Sequence, residues 1–163
     1  MEQFSEDSIT IRFVSSSGFI GWAIRRVTWG VVNHVELVLD GLYGSSRQVI
    51  GAFTKDGISI VPYYKVSKEY ICKIPCTAEQ RGAIFDYAFS QVGKKYDFLD
   101  IFGFLVHRDW RKENRWTCGE FVAACFEKGG LPLLHAPLKT INRISPRDVF
   151  LSPRIIGHIK AGR

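Results

Sequence analysis

The order of the secondary-structure patterns is the feature that most constrains how this chain folds. Short segments typical of strands are found at residues 9–14, 32–39, 48–53, 58–61 and 70–74. Helical patterns occur at residues 19–29, 77–93 and 118–128. Because neighbouring strands are joined by tight turns such as Lys55-Asp56-Gly57, we expect an antiparallel sheet with helices packed on it. The chain is therefore predicted to be an α+β protein.

Length and composition are those of one globular domain. The 163 residues are 46% hydrophobic and 23% charged, which suits a single core. No repeat, linker or shift in composition marks a boundary, so residues 1–163 are predicted to form one domain. A looser helix is predicted at residues 96–106, and the tail that follows the last helix is expected to be mostly irregular.

One cysteine lies where a helix is predicted to begin. The segment Thr117-Cys118-Gly119-Glu120 has the spacing of a capping box, which places Cys118 at the first helical position. Unpaired amides and the positive end of the helix dipole stabilise a thiolate there. Gly119 is expected to let a substrate approach the backbone closely. Cys118 is therefore the candidate nucleophile, whereas the small-hydrophobe interpretation that suits most cysteines is kept for Cys72, Cys76 and Cys125.

A histidine and a glutamate share one face of the strand at residues 32–39. His34 and Glu36 alternate with apolar residues that face a core. Since a thiol and an imidazole are the minimum for nucleophilic cysteine chemistry, His34 is the candidate base for Cys118, with Glu36 orienting its ring. The alternative is that both are solvated residues on an outer sheet face. Glu36→Gln is nearly isosteric, so the sequence predicts that it leaves the fold intact.

Three short segments carry a family resemblance. His-Val-Glu-Leu-Val at 34–38, Gly-Lys-Lys-Tyr-Asp-Phe at 93–98 and Trp-Thr-Cys-Gly-Glu-Phe at 116–121 resemble the circularly permuted papain-fold cysteine hydrolases. These are relatives of NlpC-type cell-wall peptidases and lecithin retinol acyltransferases, and the resemblance covers roughly residues 9–128. It implies an antiparallel sheet or small barrel packed on helices, in permuted order. It further implies that Cys118 is the nucleophile, that His34 is the base and that Tyr96 lines the site.

The third catalytic position departs from the family pattern. Many relatives carry a polar residue on the strand after the histidine strand, where this chain has Gly51. Glu36 is the predicted substitute, although residues two apart on a strand are separated by about 6.5 Å along it. Gln48 and Thr54 are weaker alternatives.

The expected activity is a cysteine hydrolase that cleaves an amide or ester bond. His34 would move the proton, and the backbone N–H of Cys118 would bind the oxyanion. Peptidoglycan peptides, lipid esters and protein amides are all open as substrates. An acyltransferase, or a non-catalytic binding module on the same fold, is the alternative. Trp116 belongs to a basic loop at residues 107–116 that is either a solvated loop or a lip binding an anionic or amphipathic substrate.

The net charge and the motifs limit which partners the sequence predicts. The net charge of +6 favours anionic partners, but no recognition motif points to nucleic acid. Neither a cofactor nor a metal is expected, because no phosphate-binding loop, dinucleotide fingerprint or zinc pattern is present. Without a secretory signal or an apolar run of roughly 18 residues, a cytoplasmic location is expected.

The first helical pattern has two interpretations. Its aromatic and basic residues could contact a membrane surface, although packing of the helix into the core is favoured. The residues concerned are Trp22, Arg25, Arg26 and Trp29.

Overall fold

The computed structural model describes residues 8–40, 47–96, 115–135, 144–155 and 159–161. The strands are β1 Ser8–Ser15, β2 His34–Val38, β3 Gln48–Phe53, β4 Gly57–Pro62, β5 Lys68–Pro75, β6 Lys95–Tyr96, β7 Arg115–Trp116 and β8 Ile159–Ala161. The helices are α1 Phe19–Thr28, α2 Ala78–Ser90, α3 Cys118–Lys128 and α4 Pro146–Phe150.

A six-stranded antiparallel sheet organises the described residues, in the order β4-β3-β2-β1-β5-β8. The expected antiparallel α+β architecture is confirmed. In the central strand β1, residues 9–14 are all buried, so its alternation of apolar and polar residues separates two buried faces. Ile9, Ile11 and Phe13 belong to the hydrophobic core, and Arg12 is buried on the opposite face.

Helix α3 is the buried helix of the domain. Apart from Glu120, its residues from Cys118 to Phe126 are all buried, and it packs against β2, β3, α2 and α4. At its end, a Cβ atom added to Gly129 would lie 2.2 Å from Cγ1 of Ile84 on α2. Because that position has no side chain, α2 and α3 can pack this closely. The first residue of α3 is thereby fixed by the core.

Some predicted elements differ from the structure. Tyr96 lies in β6, which pairs in parallel with β7, so the helix predicted at 96–106 is wrong at its start and otherwise lies outside the described residues. The tail holds α4 and β8 where an irregular chain was expected. Helix α1 ends at Thr28, one residue before the end of the predicted pattern, and Trp29 is its left-handed C-cap with φ 54°. Among the described residues, no helix is long and apolar enough to cross a membrane.

Candidate active site

Cys118 lies at the first position of α3, as the capping-box spacing predicts. The Thr117 hydroxyl accepts a hydrogen bond from the Glu120 N–H at 3.4 Å, and the Glu120 carboxylate accepts one from the Thr117 N–H at 3.3 Å. This reciprocal cap fixes the start of the helix. Cys118 itself is only 2% exposed.

His34 begins β2 and reaches both Cys118 and Glu36. It interacts electrostatically with Cys118, and its Nε2 atom lies 3.2 Å from Oε2 of Glu36. The Nε2–Oε2 contact is an ion-pair contact rather than a well-aligned hydrogen bond. The ring packs 5.1 Å from that of Phe53 and is 17% exposed on its side chain.

The contacts of His34 and Glu36 determine their charge. Burial lowers the pKa of His34, but the interactions with Cys118 and Glu36 outweigh it and raise this pKa to about 10. Burial by itself raises the pKa of Glu36, but His34 and Arg12 outweigh that effect and hold the pKa below its ordinary value. The arrangement therefore favours an imidazolium beside a carboxylate.

Glu36 is fully buried, so the solvated interpretation of this sheet face is wrong. Its Oε1 atom accepts a hydrogen bond from Nη1 of Arg12 at 2.7 Å, and neither side chain is exposed. Glu36→Gln, expected from its near-isosteric shape to leave the fold intact, would also break a buried ion pair, so we expect it to lower stability. Sequence reasoning missed Arg12, although a charged residue in the middle of the apolar strand Ile9–Val14 was a signal for it.

Two cavities lie beside the pair formed by Cys118 and His34, the dyad. A cavity of about 670 Å³ is lined by His34, Phe53, Tyr64 and Tyr96, among other residues. A smaller one of about 40 Å³ lies against Cys118 and is walled by α1 residues Ala23, Ile24 and Val27. Ile24 and Tyr96 line both cavities, so they stand between them. Tyr96 is thus placed beside the dyad and is 6% exposed.

Helix α1 presents aromatic side chains to the outside. Phe19, Trp22 and Trp29 are 80%, 55% and 77% exposed, so the expected packing of the Trp22 and Trp29 rings into the core is wrong. Arg26 lies over the Trp29 ring, with its Cζ atom 4.9 Å from the ring centroid. Only the opposite side of the helix faces the cavity at Cys118.

Two predicted substrate-binding residues have other surroundings. A Cβ atom added to Gly119 would lie 2.3 Å from the Ile144 carbonyl oxygen, so the backbone before α4, not a substrate, occupies the space beside this glycine. The expected reason for Gly119 is therefore wrong. Trp116 packs at the edge of the core and is absent from the linings of both cavities. Of its basic loop, residues 107–114 lie outside the described residues.

The alternatives to Glu36 are less well placed. Thr54 lines the larger cavity, and Gln48 pairs with Pro62 at the far end of β3. Gly51 has no side chain, but a Cβ atom there would lie 3.6 Å from Nε2 of His34. Position 51 therefore borders the same ring nitrogen that Glu36 contacts.

Other thiols are less suited to ionise. Burial raises the pKa of Cys72 to about 11 and raises the pKa of Cys125 as well. Cys76 is only partly buried, and none of the four described cysteines is in a disulfide. Cys118, unlike these three, is one of the groups whose interaction raises the pKa of His34.

Comparison with known proteins finds similarity to solved structures. No family model and no curated protein matches the chain. A crystal structure of the metalloprotein yiiX from Escherichia coli O157:H7, a DUF1105 protein, is similar with a TM-score of 0.68 and 18% identity, over 96% of each chain. At this identity the similarity shows a shared fold only.

The residues around Glu36 do not fit a metal centre. Within the described part of the chain, no three His, Cys, Asp or Glu side chains are grouped as metal ligands. Oε1 of Glu36 already accepts a hydrogen bond from the Arg12 guanidinium, so a cation of the protein itself faces this oxygen. The site is therefore an arrangement of a thiol, an imidazole and a carboxylate held by an arginine.

Proposed function

We propose that this chain is a cysteine hydrolase of permuted papain-like fold that cleaves an amide or ester bond. The observation that carries the proposal is the chain of contacts from Cys118, at a capped helix start, through the His34 ring to the buried carboxylate of Glu36. A nucleophile, its base and a group that orients the base recur in this relation across cysteine and serine hydrolases.

The first half of the reaction acylates the thiol. The Cys118 sulfur, whose proton passes to His34, attacks the substrate carbonyl and forms a carbon–sulfur bond. The developing oxyanion is stabilised by the N–H of Cys118, because the first amides of a helix lack partners within it. The imidazolium then gives its proton to the leaving amine or alkoxide as the bond to the carbonyl carbon breaks.

The second half releases the acid. Water gives a proton to His34 as its oxygen attacks the thioester carbonyl, and the thiolate leaves as the carbon–sulfur bond breaks. Glu36 supports both halves, since its negative charge at 3.2 Å stabilises the imidazolium each time it forms.

The lining of the larger cavity indicates which kind of substrate fits beside His34. This cavity reaches His34 and has a largely apolar wall that includes Phe19, Phe53 and Tyr64. A substrate whose acyl or leaving group has an apolar portion fits such a wall. Peptide and lipid substrates both satisfy this condition.

Thiol reactivity tests the proposal. Limited treatment with iodoacetamide, followed by mass mapping, should label Cys118 ahead of Cys72, Cys76 and Cys125. Incubation with p-nitrophenyl acetate should leave an acetyl group on Cys118 and none in Cys118→Ser. The matched control Cys76→Ser, at a partly buried cysteine outside the site, should behave as the wild type.

The results also separate the alternatives. Preferential labelling of Cys76, with no acetyl-enzyme, would favour a non-catalytic binding module. An acetyl-enzyme that is released to an added amine faster than to water would favour an acyltransferase.

A further inference from the structure

The carboxylate of Glu36 is held from the side opposite His34. Arg12 on β1 is the direct pairing partner of Glu36 on β2, and its Nη1 atom donates to Oε1 at 2.7 Å. The Tyr64 hydroxyl donates to Oε2 at 3.0 Å, the same oxygen that faces His34. Both carboxylate oxygens therefore have a fixed donor before the histidine is counted.

Arg12 is itself fixed on every side. Its Nε donates to Glu69 at 2.6 Å, and its Nη2 donates to the Tyr64 carbonyl at 2.6 Å. The rings of Tyr63 and Tyr64 lie 4.0 and 4.7 Å from its Cζ atom, so the guanidinium lies against two aromatic faces. Because its donors point in fixed directions, this guanidinium can hold the Glu36 carboxylate in one orientation.

Gly51 on β3 leaves space for the Glu36 side chain, because it has no side chain of its own. A Cβ atom added to Gly51 would lie 3.1 Å from Cβ of Glu36, which is closer than ordinary packing allows. The same atom would lie 3.6 Å from Nε2 of His34. A side chain at position 51 would therefore compete with Glu36 for the space beside the ring nitrogen.

We propose that Arg12 is a positioning residue which, with the vacant position at Gly51, turns Glu36 toward His34 and keeps it ionised. The inference rests on the proposed function, because it concerns the group that orients the base. Without Arg12, burial of the Glu36 carboxyl would be opposed by His34 without the guanidinium, so the pKa of Glu36 would rise and its stabilisation of the imidazolium would weaken. Without the space at Gly51, the carboxylate would be displaced from the ring.

The charged and titratable groups around Glu36 determine which protonation changes a pH titration of the site can detect. His34, Arg12 and Tyr64 contact it directly, and Glu69 and Tyr63 contact Arg12. The pKa of Tyr63 is raised to about 12, by burial first and by Glu69 next, and the pKa of Tyr64 is also raised, by burial first and by Glu36 next. Both phenols stay neutral near pH 7, and His34, with a pKa of about 10, stays protonated there, so none of the three accounts for a change between pH 3 and 7.

The test compares Arg12→Met and Arg12→Lys with wild type. The Glu36 carboxyl midpoint, followed by ¹³C NMR, should rise by roughly 1–3 pH units in Arg12→Met. Alkylation of Cys118 by iodoacetamide should fall about tenfold at pH 5.5 and recover as Glu36 ionises. Arg12→Lys, which keeps the charge but loses the fork of donors, should give a smaller change in both.

Repeating the Arg12→Met change in the Glu36→Gln variant shows whether Arg12 acts through Glu36. In Glu36→Gln, adding Arg12→Met should cause no further loss of Cys118 alkylation. A purely structural arginine would lower the unfolding temperature and leave the Glu36 midpoint where it is. A folded Arg12→Met with an unchanged midpoint, or a further loss in the Glu36→Gln background, would overturn the inference.

Gly51→Ala gives an independent test if Arg12→Met does not fold, because it changes no charge. The added Cβ should displace Glu36, lower the His34 midpoint toward 6.5 and slow alkylation of Cys118. Gly82→Ala on α2 is the matched control, since its Cβ would have no neighbour within 4 Å. If Gly51→Ala leaves the His34 midpoint unchanged, the inference fails. These titrations need no substrate, so they are judged separately from a failure of wild type to form an acetyl-enzyme.

Discussion

Replacing Glu36 by glutamine measures the buried charge network directly. Glu36→Gln keeps the shape of the side chain but removes the charge that Arg12 binds at 2.7 Å and that faces His34 at 3.2 Å. Breaking a buried ion pair from one side costs about 3–5 kcal/mol of unfolding free energy. Because Arg12 keeps its bonds to Glu69 and to the Tyr64 carbonyl, we expect the lower end of this range, about 3 kcal/mol.

The pH dependence of this loss has a definite sign. The pKa of Glu36 in the folded protein lies below its ordinary value of 4.5, so its stabilising effect is fully present above pH 4.5. It is lost as the pH falls through the folded-state pKa. Urea unfolding should therefore show that the gap between wild type and Glu36→Gln narrows below pH 4.5, by at most about 1.4 kcal/mol per pH unit.

The same variant should change the titration of His34. With the carboxylate gone, the His34 midpoint should fall from about 10 by roughly 1–3 units, measured by ¹⁵N NMR of the ring. Glu69→Gln is the matched control, since its carboxylate contacts Arg12 and Tyr63 instead of the histidine. It should cost less stability and leave the His34 midpoint unchanged. Equal effects of the two variants on His34 would refute the reasoning.

Three further changes probe the backbone around the site by urea unfolding. Gly119→Ala should destabilise by about 1–3 kcal/mol, because its Cβ would meet the Ile144 carbonyl; stability equal to wild type would contradict that close approach. Gly82→Ala should stabilise by about 0.5–1 kcal/mol, as expected for a helical glycine with open space around it, and a loss would count against this. Trp29→Gly should stabilise by about 1 kcal/mol through relief of the left-handed backbone, and a loss of stability would show that the contact of the Trp29 ring with Arg26 outweighs that relief.

Local patterns were sufficient to predict the start of α3 and most strands. The reciprocal bonds of Thr117 and Glu120 depend on residues three apart, and such short-range chemistry is visible in sequence. The same short-range chemistry starts α2, where Thr77 and Gln80 form a reciprocal cap. Ser145 and Asp148 form a capping box of the same kind at the start of α4. That helix was not predicted, because the Pro-containing tail was expected to be irregular.

Long-range packing was not visible in the same way. Alternation on β1 and β2 gave the faces correctly but not their exposure, because both faces of this sheet are covered. Nothing in the spacing of Arg12 and Glu36, which are 24 residues apart, shows that the two pair. Gly119 was predicted to make room for a substrate. The backbone of residues 144 and 145 lies beside it instead, and this approach depends on tertiary structure that the sequence does not show. For the aromatic residues of α1, periodicity did not show which side of the helix meets the core.

The pairing of Arg12 with Glu36 also has a consequence for folding. In the native register, the two residues are opposite each other on β1 and β2, with Val14 opposite His34 and Thr10 opposite Val38. A slip of two residues would keep every side chain on its own face, and so would cost little in apolar burial. It would, however, separate the fully buried charges of Arg12 and Glu36, and the Glu36 carboxylate would lose its arginine. The ion pair behind the histidine thus discriminates between strand alignments that hydrophobic patterning leaves nearly equal, and only the native alignment places the guanidinium against the Glu36 carboxylate.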